Sequence, residues 1–217
     1  MSTVIIAGRG RIPDWVVDLD SFRRWSRSGD FPDSGWFSYL AGEVWADPSM
    51  ETAGHNQAKW KISLILGGLI EAEALGNFFP DRMRLVNVAA DLSTEPDGMF
   101  ISEKALEVGR ARLEHGIATL EVVGSPDMVL EVVSPSSVEK DTVILRQLYW
   151  NAGVREYWLV DPRGLELHFD ILRHAEKGYI PTRRQQGWLK SRVFGKSFRL
   201  TQRNDARGNP VFKLEVR

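Results

Sequence analysis

The sequence predicts a mixed α/β fold: a central β-sheet with helices packed on it, preceded by a hairpin and followed by a β-hairpin extension. Three observations carry this expectation. Short alternating or apolar segments with strand character dominate the chain. A long helical stretch, roughly residues 52–75, stands between the first hairpin and the later strands. Near the end, two apolar strands, 127–133 and 156–160, flank a single helix, the order expected of a parallel crossover.

The elements follow in order. Residues 18–28 read as a short helix with an acidic start and an Arg-rich body, and 29–35 as a Pro/Gly/Asp/Ser linker. Trp36–Leu40 and Glu43–Asp47 flank Ala41-Gly42 as a hairpin. In the long helix Trp60, Leu64, Ile65 and Leu69 recur at helical spacing, and Gly76 sits where a C-terminal cap belongs. Residues 82–88 alternate as a strand, and Glu95-Pro96-Asp97 opens a short apolar strand ending at Ile101. Residues 102–113 read as a polar helix or loop, and 119–123 and 127–133 as strands about a Gly-Ser-Pro turn. Ser136 or Ser137 caps a helix ending near Asn151-Ala-Gly153. Residues 165–172 and 178–183 form a hairpin around Glu176-Lys-Gly178. We expect one domain in three parts: an N-terminal helical segment over 1–35, a core over 36–175 and a basic β extension over 176–217.

Composition narrows the chemistry. The chain has 217 residues, 43% hydrophobic and 26% charged, an ordinary globular balance with enough length for one good core. Without cysteine, disulfides, thiol catalysis and Cys-zinc sites are excluded. The apolar run at the start is too short for a signal peptide and residues 62–70 too short to span a bilayer, so a cytoplasmic protein without membrane association is expected. The net charge of −1 does not mark a nucleic-acid binder. Its distribution is more informative. Arg183, Arg184, Lys190, Arg192, Lys196, Arg199 and Arg203 follow one another with no acid between, interleaved with Trp188, Phe194 and Phe198. That pattern suits a phosphate backbone with stacked bases; it equally describes a solvated hairpin face whose aromatics point inward.

The acids carry the sharper signal. Glu131 sits mid-strand among apolar residues, where a carboxylate is costly unless something pairs with it. The partner is either a divalent metal or a nearby Arg or Lys. Asp127 shares its face, but four strand steps separate the two by roughly 13 Å, too far to share an ion. A co-ligand must come from another strand, with Asp97 first and Glu43 next. Magnesium takes few protein carboxylates and keeps several waters, and such an ion orients water and polarises a phosphodiester. The four histidines, His55, His115, His168 and His174, have no pair at helical metal spacing. His55 opens the long helix, either as a structural residue or facing the acids. Neither a Gly-rich phosphate loop nor a Gly-x-Ser-x-Gly elbow is present.

Residues 126–137, Pro-Asp-Met-Val-Leu-Glu-Val-Val-Ser-Pro-Ser-Ser, then Tyr149 and Ala152-Gly-Val-Arg-Glu-Tyr-Trp-Leu-Val-Asp-Pro162, resemble the Uma2 family of restriction-endonuclease-like proteins with the PD-(D/E)XK nuclease fold. Gly42-Glu43, His55-Asn56 and Pro96-Asp97 with Phe100 follow the family's order upstream, so the resemblance spans about 36–170. It implies a magnesium-dependent endonuclease, with manganese as a substitute ion, DNA as partner and a homodimer as a common assembly. Carried over, Asp97 and Glu131 are the metal ligands, Glu43 binds through water or positions the attacking water, and His55 and Asp127 are accessory. One departure stands out. The Glu-x-Lys lysine position is Val133, and the helical position where family members carry the lysine, four before the tyrosine, is Leu145. Lys140 or Arg146 is then expected to supply positive charge, with Lys59 or Lys61 as further substitutes. Arginine stays protonated and does not act as a base. The missing lysine also admits a non-catalytic descendant of the fold that binds DNA or protein. A two-carboxylate glycosidase has little support, because nothing suggests an aromatic-lined cleft.

Overall fold

The computed structural model describes residues 5, 6, 10–47, 49–113, 118–164 and 166–217; His115 and Leu165 lie outside them. A strand pair, β1 (Ile5–Ile6) and β2 (Gly10–Arg11), precedes α1 (Leu19–Ser26), the hairpin β3 (Trp36–Leu40) and β4 (Glu43–Asp47), and α2 (Ala53–Ala72). Next come β5 (Gly76–Phe79), β6 (Arg84–Asn87), β7 (Leu92–Thr94), β8 (Gly98–Ser102), α3 (Glu103–Glu107), β9 (Ala111–Leu113), β10 (Glu121–Gly124) and β11 (Met128–Val132). A π-helical turn, Lys140–Ile144, runs into α4 (Leu145–Asn151). The chain closes with β12 (Glu156–Asp161), β13 (His168–Ala175), β14 (Gly178–Pro181), β15 (Leu189–Lys190), β16 (Ser197–Asn204) and β17 (Pro210–Val216).

The mixed α/β architecture is as expected. The central sheet has the order β14-β13-β12-β11-β8-β5, and only its β11–β12 pair is parallel. That pair brackets α4, the anticipated crossover. A second six-stranded sheet runs β4-β3-β7-β6-β10-β9. The hairpin arm β14 belongs to the central sheet, whereas β15, β16 and β17 form a three-stranded sheet of their own.

Strand alternation divides the core. Met128, Leu130 and Val132 of β11, with Trp158 and Val160 of β12, face α2 and the C-terminal sheet, where Ile62, Leu66, Phe194, Phe198 and Leu214 pack. Val129 and Tyr157 face the other way, toward Leu145, Leu148 and Tyr149 of α4 and toward Leu85, Leu92 and Val122 of the second sheet. α1 lays Phe22 and Trp25 on Phe37 and Tyr39.

Two local expectations need correction. The buried face of α2 is Ala58, Ile62, Leu66 and Ile70, while Trp60 and Leu64 are 53% and 51% exposed. Apolar residues lie all around this helix, so periodicity did not select the face; the sheet beneath it does. Gly76 is not the helix cap. The chain leaves α2 through Ala74, at φ +49°, and Gly76 opens β5 at φ +143°, packed so closely on Ile101 and Ser102 backbone that a Cβ does not fit. Among the described residues, no helix is long and apolar enough to cross a membrane.

Candidate active site

The β8–β11 register brings two of the expected acids together. Leu130 lies across from Gly98, so the next pair sets Asp97 across from Glu131, on one face of adjacent antiparallel strands. The Val132 amide donates to Asp97 Oδ2 at 2.8 Å, which anchors the carboxylate at the mouth of β8. Glu131 Oε1 accepts from the buried Tyr149 hydroxyl at 2.5 Å. Tyr149 comes from α4, whose inner face covers this part of the sheet.

The first turns of α2 complete the cluster. Thr52 caps the helix by accepting from the His55 amide. His55 Nε2 lies 3.2 Å from Asp97 Oδ2, and its Nδ1 lies 3.4 Å from Glu51 Oε2 without a hydrogen-bond partner. One turn on, Lys59 Nζ pairs with Glu51 and stands 3.5 Å from both Asp97 and Asp81. From the opposite side, the π-helical turn presents Lys140, 3.4 Å from Asp141 Oδ1, while Asp141 accepts from the Ser137 hydroxyl. Such turns insert an extra residue into a helix and recur at functional sites.

Glu51, His55, Asp97, Glu131, Lys140 and Asp141 line one cleft of ≈ 40 Å³, joined at its rim by Trp36 and Asp47. That volume suffices for an ion with a little water. Ligand atoms of Glu51, His55 and Asp97 all lie within 4.8 Å of one another.

The electrostatics describe a site short of positive charge. Burial pushes Glu131 well above the ordinary carboxylate range, and the Asp141 and Asp97 charges add to it. Burial likewise pushes Asp141 up to about 6, against Lys140 and the Ser137 hydroxyl. Asp97 is held below its ordinary value: burial opposes its charge, but His55, Lys59 and the Val132 amide outweigh it. The same contacts raise His55 against its own burial, through Asp97 and then Glu51. Carboxylates forced together in a low-dielectric cleft, beside a buried imidazole nitrogen with no hydrogen-bond partner, form a donor set that suits a divalent cation.

Other expected residues lie elsewhere. Glu43 is exposed at the hairpin end, across from Leu40, and lines a separate groove with Val16 and Tyr39. The hairpin acid at the cleft is instead Asp47, at the far end of the same strand, roughly 13 Å away. Arg146 is partly buried against β14, where its guanidinium donates to the Tyr179 carbonyl; Asp141, Leu145 and Tyr149, all buried, form the inner face instead. Leu145 is fully buried in the core. Lys61 rests on the Trp60 ring. Asp127 is a structural anchor: buried, it accepts from the Ser102 amide and pairs with Arg110 and Arg155.

The basic C-terminal segment is not brought to the cleft. Its Ser191–Val193 turn is clamped by Glu156, which accepts from the Ser191 hydroxyl and the Arg192 and Val193 amides. Glu131 pairs with Leu159, three residues further along β12 and on the opposite face of the sheet. Phe194 and Phe198 are core residues, and Trp188 stacks under Arg199 and Arg217. Arg184 pairs with Asp170, Lys196 with Glu73 and Arg199 with Glu215, while Arg183, Lys190 and Arg192 are exposed.

Glu51 and Asp141 were not anticipated, although both had a signal. Glu51 stands four residues before His55, and Asp141 eight before Tyr149 on the same helical face.

Comparison with known proteins agrees with this architecture. None of the curated proteins matches the chain. A solved structure described as "a putative nuclease belonging to DUF820 from Anabaena variabilis ATCC 29413" superposes with a TM-score of 0.60, covering 82% of this chain and 91% of that one at 16% identity. At that identity the likeness speaks to the fold, which is that of the Anabaena protein. The model of the Uma2 family, described as "Putative restriction endonuclease", matches residues 19–202. With most of its length matched, this chain belongs to the Uma2 family.

Proposed function

We propose that the chain is a metal-dependent endodeoxyribonuclease. The observation that carries the reading is the pairing of Asp97 with Glu131 across adjacent strands, in a cleft whose crowded carboxylates need a cation. Asp97 and Glu131 would hold Mg²⁺, with Mn²⁺ as a substitute; Glu51 and His55 would join from the Asp97 side, where the three have ligand atoms within 4.8 Å of one another, a group that does not include Glu131. Such an ion supplies an activated water and polarises the phosphodiester.

The chain's own residues do the rest. Tyr149 fixes the Glu131 carboxylate through its hydroxyl, so the two acids keep their relative orientation. Lys140 remains charged among Asp141, Glu131 and Asp97, because those carboxylates outweigh its burial and raise its pKa. It thus brings a fixed cation to the cleft where a scissile phosphate needs one. Lys59 offers a second cation beside Asp97. Together they stand in for the lysine replaced by Leu145. DNA is the substrate; the exposed Arg183, Lys190 and Arg192 lie away from the cleft and are not the groups that hold the scissile phosphate. A homodimer would bring two such clefts to the DNA.

A second reading, a non-catalytic module of the same fold that binds DNA or protein, draws on the buried Leu145. Calorimetric titration with Mg²⁺ and Mn²⁺ separates the two. Metal binding by the wild type, abolished by Glu131→Ala and Asp97→Ala, is the expected result. No metal binding, with DNA affinity unchanged by Asp97→Ala, would favour the module.

A further inference from the structure

Beside the acid cleft lies a second groove with different chemistry. On the β3–β4 hairpin Trp36 pairs with Asp47 and Ser38 with Trp45, so these four side chains share one face. The two tryptophans are diagonal neighbours, with about 7–8 Å between them at the backbone. With Ser136 and Lys140 they line an open groove of ≈ 260 Å³. Trp36, Asp47 and Lys140 also line the acid cleft, so the two spaces adjoin across these three side chains. Asp47 accepts from the Ser136 hydroxyl at 2.8 Å, which ties the turn after β11 to the hairpin.

Both indoles are partly exposed, and among the described residues neither stacks on another ring. The companions of Trp36 are cations: the Arg82 guanidinium lies 4.4 Å from the centre of its ring and Lys59 Nζ lies 5.6 Å from it. Trp45 packs one side against the hydrophobic core and lines the groove with the rest of its ring. Aromatic faces interleaved with positive charge form the usual platform for single-stranded nucleic acid. Bases stack on the rings and cations track the phosphates. A base inside a duplex has both faces covered and cannot use such a platform.

We propose that this groove is a nucleobase subsite. It takes the base of an unpaired nucleotide next to the phosphate in the acid cleft, making single-stranded or locally unpaired DNA the substrate class. The proposal rests on the nuclease reading of the neighbouring cleft. Lys140, common to both spaces, sits where the nucleotide's phosphate passes from one to the other. The groove needs only a π-face, so recognition there is tolerant of base identity.

Fluorescence anisotropy of the full chain, in chelator so that nothing is cut, tests the proposal. The probes are a labelled oligothymidylate, the same length of abasic strand and a blunt duplex. The wild type binds oligothymidylate more tightly than duplex. Trp45→Ala and Trp36→Ala weaken oligothymidylate binding roughly tenfold or more, leave duplex and abasic binding unchanged, and Trp45→Phe restores the loss. Equal binding of the three probes overturns the proposal. So does an unchanged oligothymidylate affinity in both alanine variants, each verified as folded by circular dichroism. Glu131→Ala keeps the single-strand preference while losing metal binding. Failure of the nuclease reading therefore appears in metal titration, and failure of the subsite in anisotropy.

Discussion

Replacing Asp141 by Asn reports on the charge balance of the cleft. Asp141 is 1% exposed, and burial pushes its carboxyl up to about 6 from an ordinary 3.8, with Asp97 adding to the effect. The difference, about 2 pH units, corresponds to about 3 kcal/mol. Its sign follows from proton binding. Between about pH 4 and pH 6 the folded protein keeps a proton that the unfolded chain has released, so stability falls as pH rises through that window and then levels. Asparagine keeps the shape and accepts the Ser137 hydroxyl, but has no charge to bury. The loss of the Lys140 ion pair is already contained in that difference, because Lys140 lowers the same pKa. The net gain at pH 7.5 is about 3 kcal/mol, which in a chain this long raises Tm by about 6–12 °C. Thermal unfolding followed by circular dichroism in chelator, from pH 4.5 to 8, is the assay. The variant's advantage should emerge between about pH 4 and 6 and persist above. A variant less stable than wild type at pH 7.5, or an advantage independent of pH, would refute the reasoning.

Other expectations follow from single contacts. Tyr149→Phe leaves buried Glu131 without its donor; it should cost about 1–3 kcal/mol by urea unfolding and weaken metal binding in the same titration. Gly76→Ala forces a Cβ against the Ile101 carbonyl at a left-handed φ, so soluble yield or Tm should collapse; a normal Tm would contradict the close packing. A site that includes His55 should bind Mn²⁺ more tightly than Mg²⁺, because imidazole suits the transition ion; His55→Gln should narrow that gap by calorimetry, and an unchanged gap removes His55 from the site. Asp127→Asn should lower stability at neutral pH but much less below about pH 4. Burial opposes the aspartate's charge, yet the Ser102 contacts and Arg110 and Arg155 hold its pKa below the ordinary value. That stabilisation is present above the ordinary pKa and lost as pH falls through the folded one.

The strand pattern makes the central unit legible in the sequence. The 127–133 and 156–160 segments form the parallel pair, and Asp97, expected from a neighbouring strand because Asp127 lies too far along its own, stands across from Glu131. Adjacent acids on facing strands are readable because period 2 and register decide them. What escaped reading depends on where loops and helices dock. Glu43 and Asp47 bound one short strand, and only the docking of that hairpin decides which end meets the cleft. Lys140 and Arg146 lie on one helix, but the π-helical turn and the helix's inner face select Lys140. The basic C-terminal run looks like a nucleic-acid grip in sequence. Its phenylalanines are core residues, and several of its charges are paired with acids distant in the chain.

Cleavage of supercoiled plasmid by the purified chain, in Mg²⁺, Mn²⁺ and chelator and alongside Glu131→Ala, tests the central claim most directly. The account expects nicking that requires the metal and disappears in the variant. A folded, metal-binding wild type that nicks in neither ion, or nicking that survives Glu131→Ala, would contradict it.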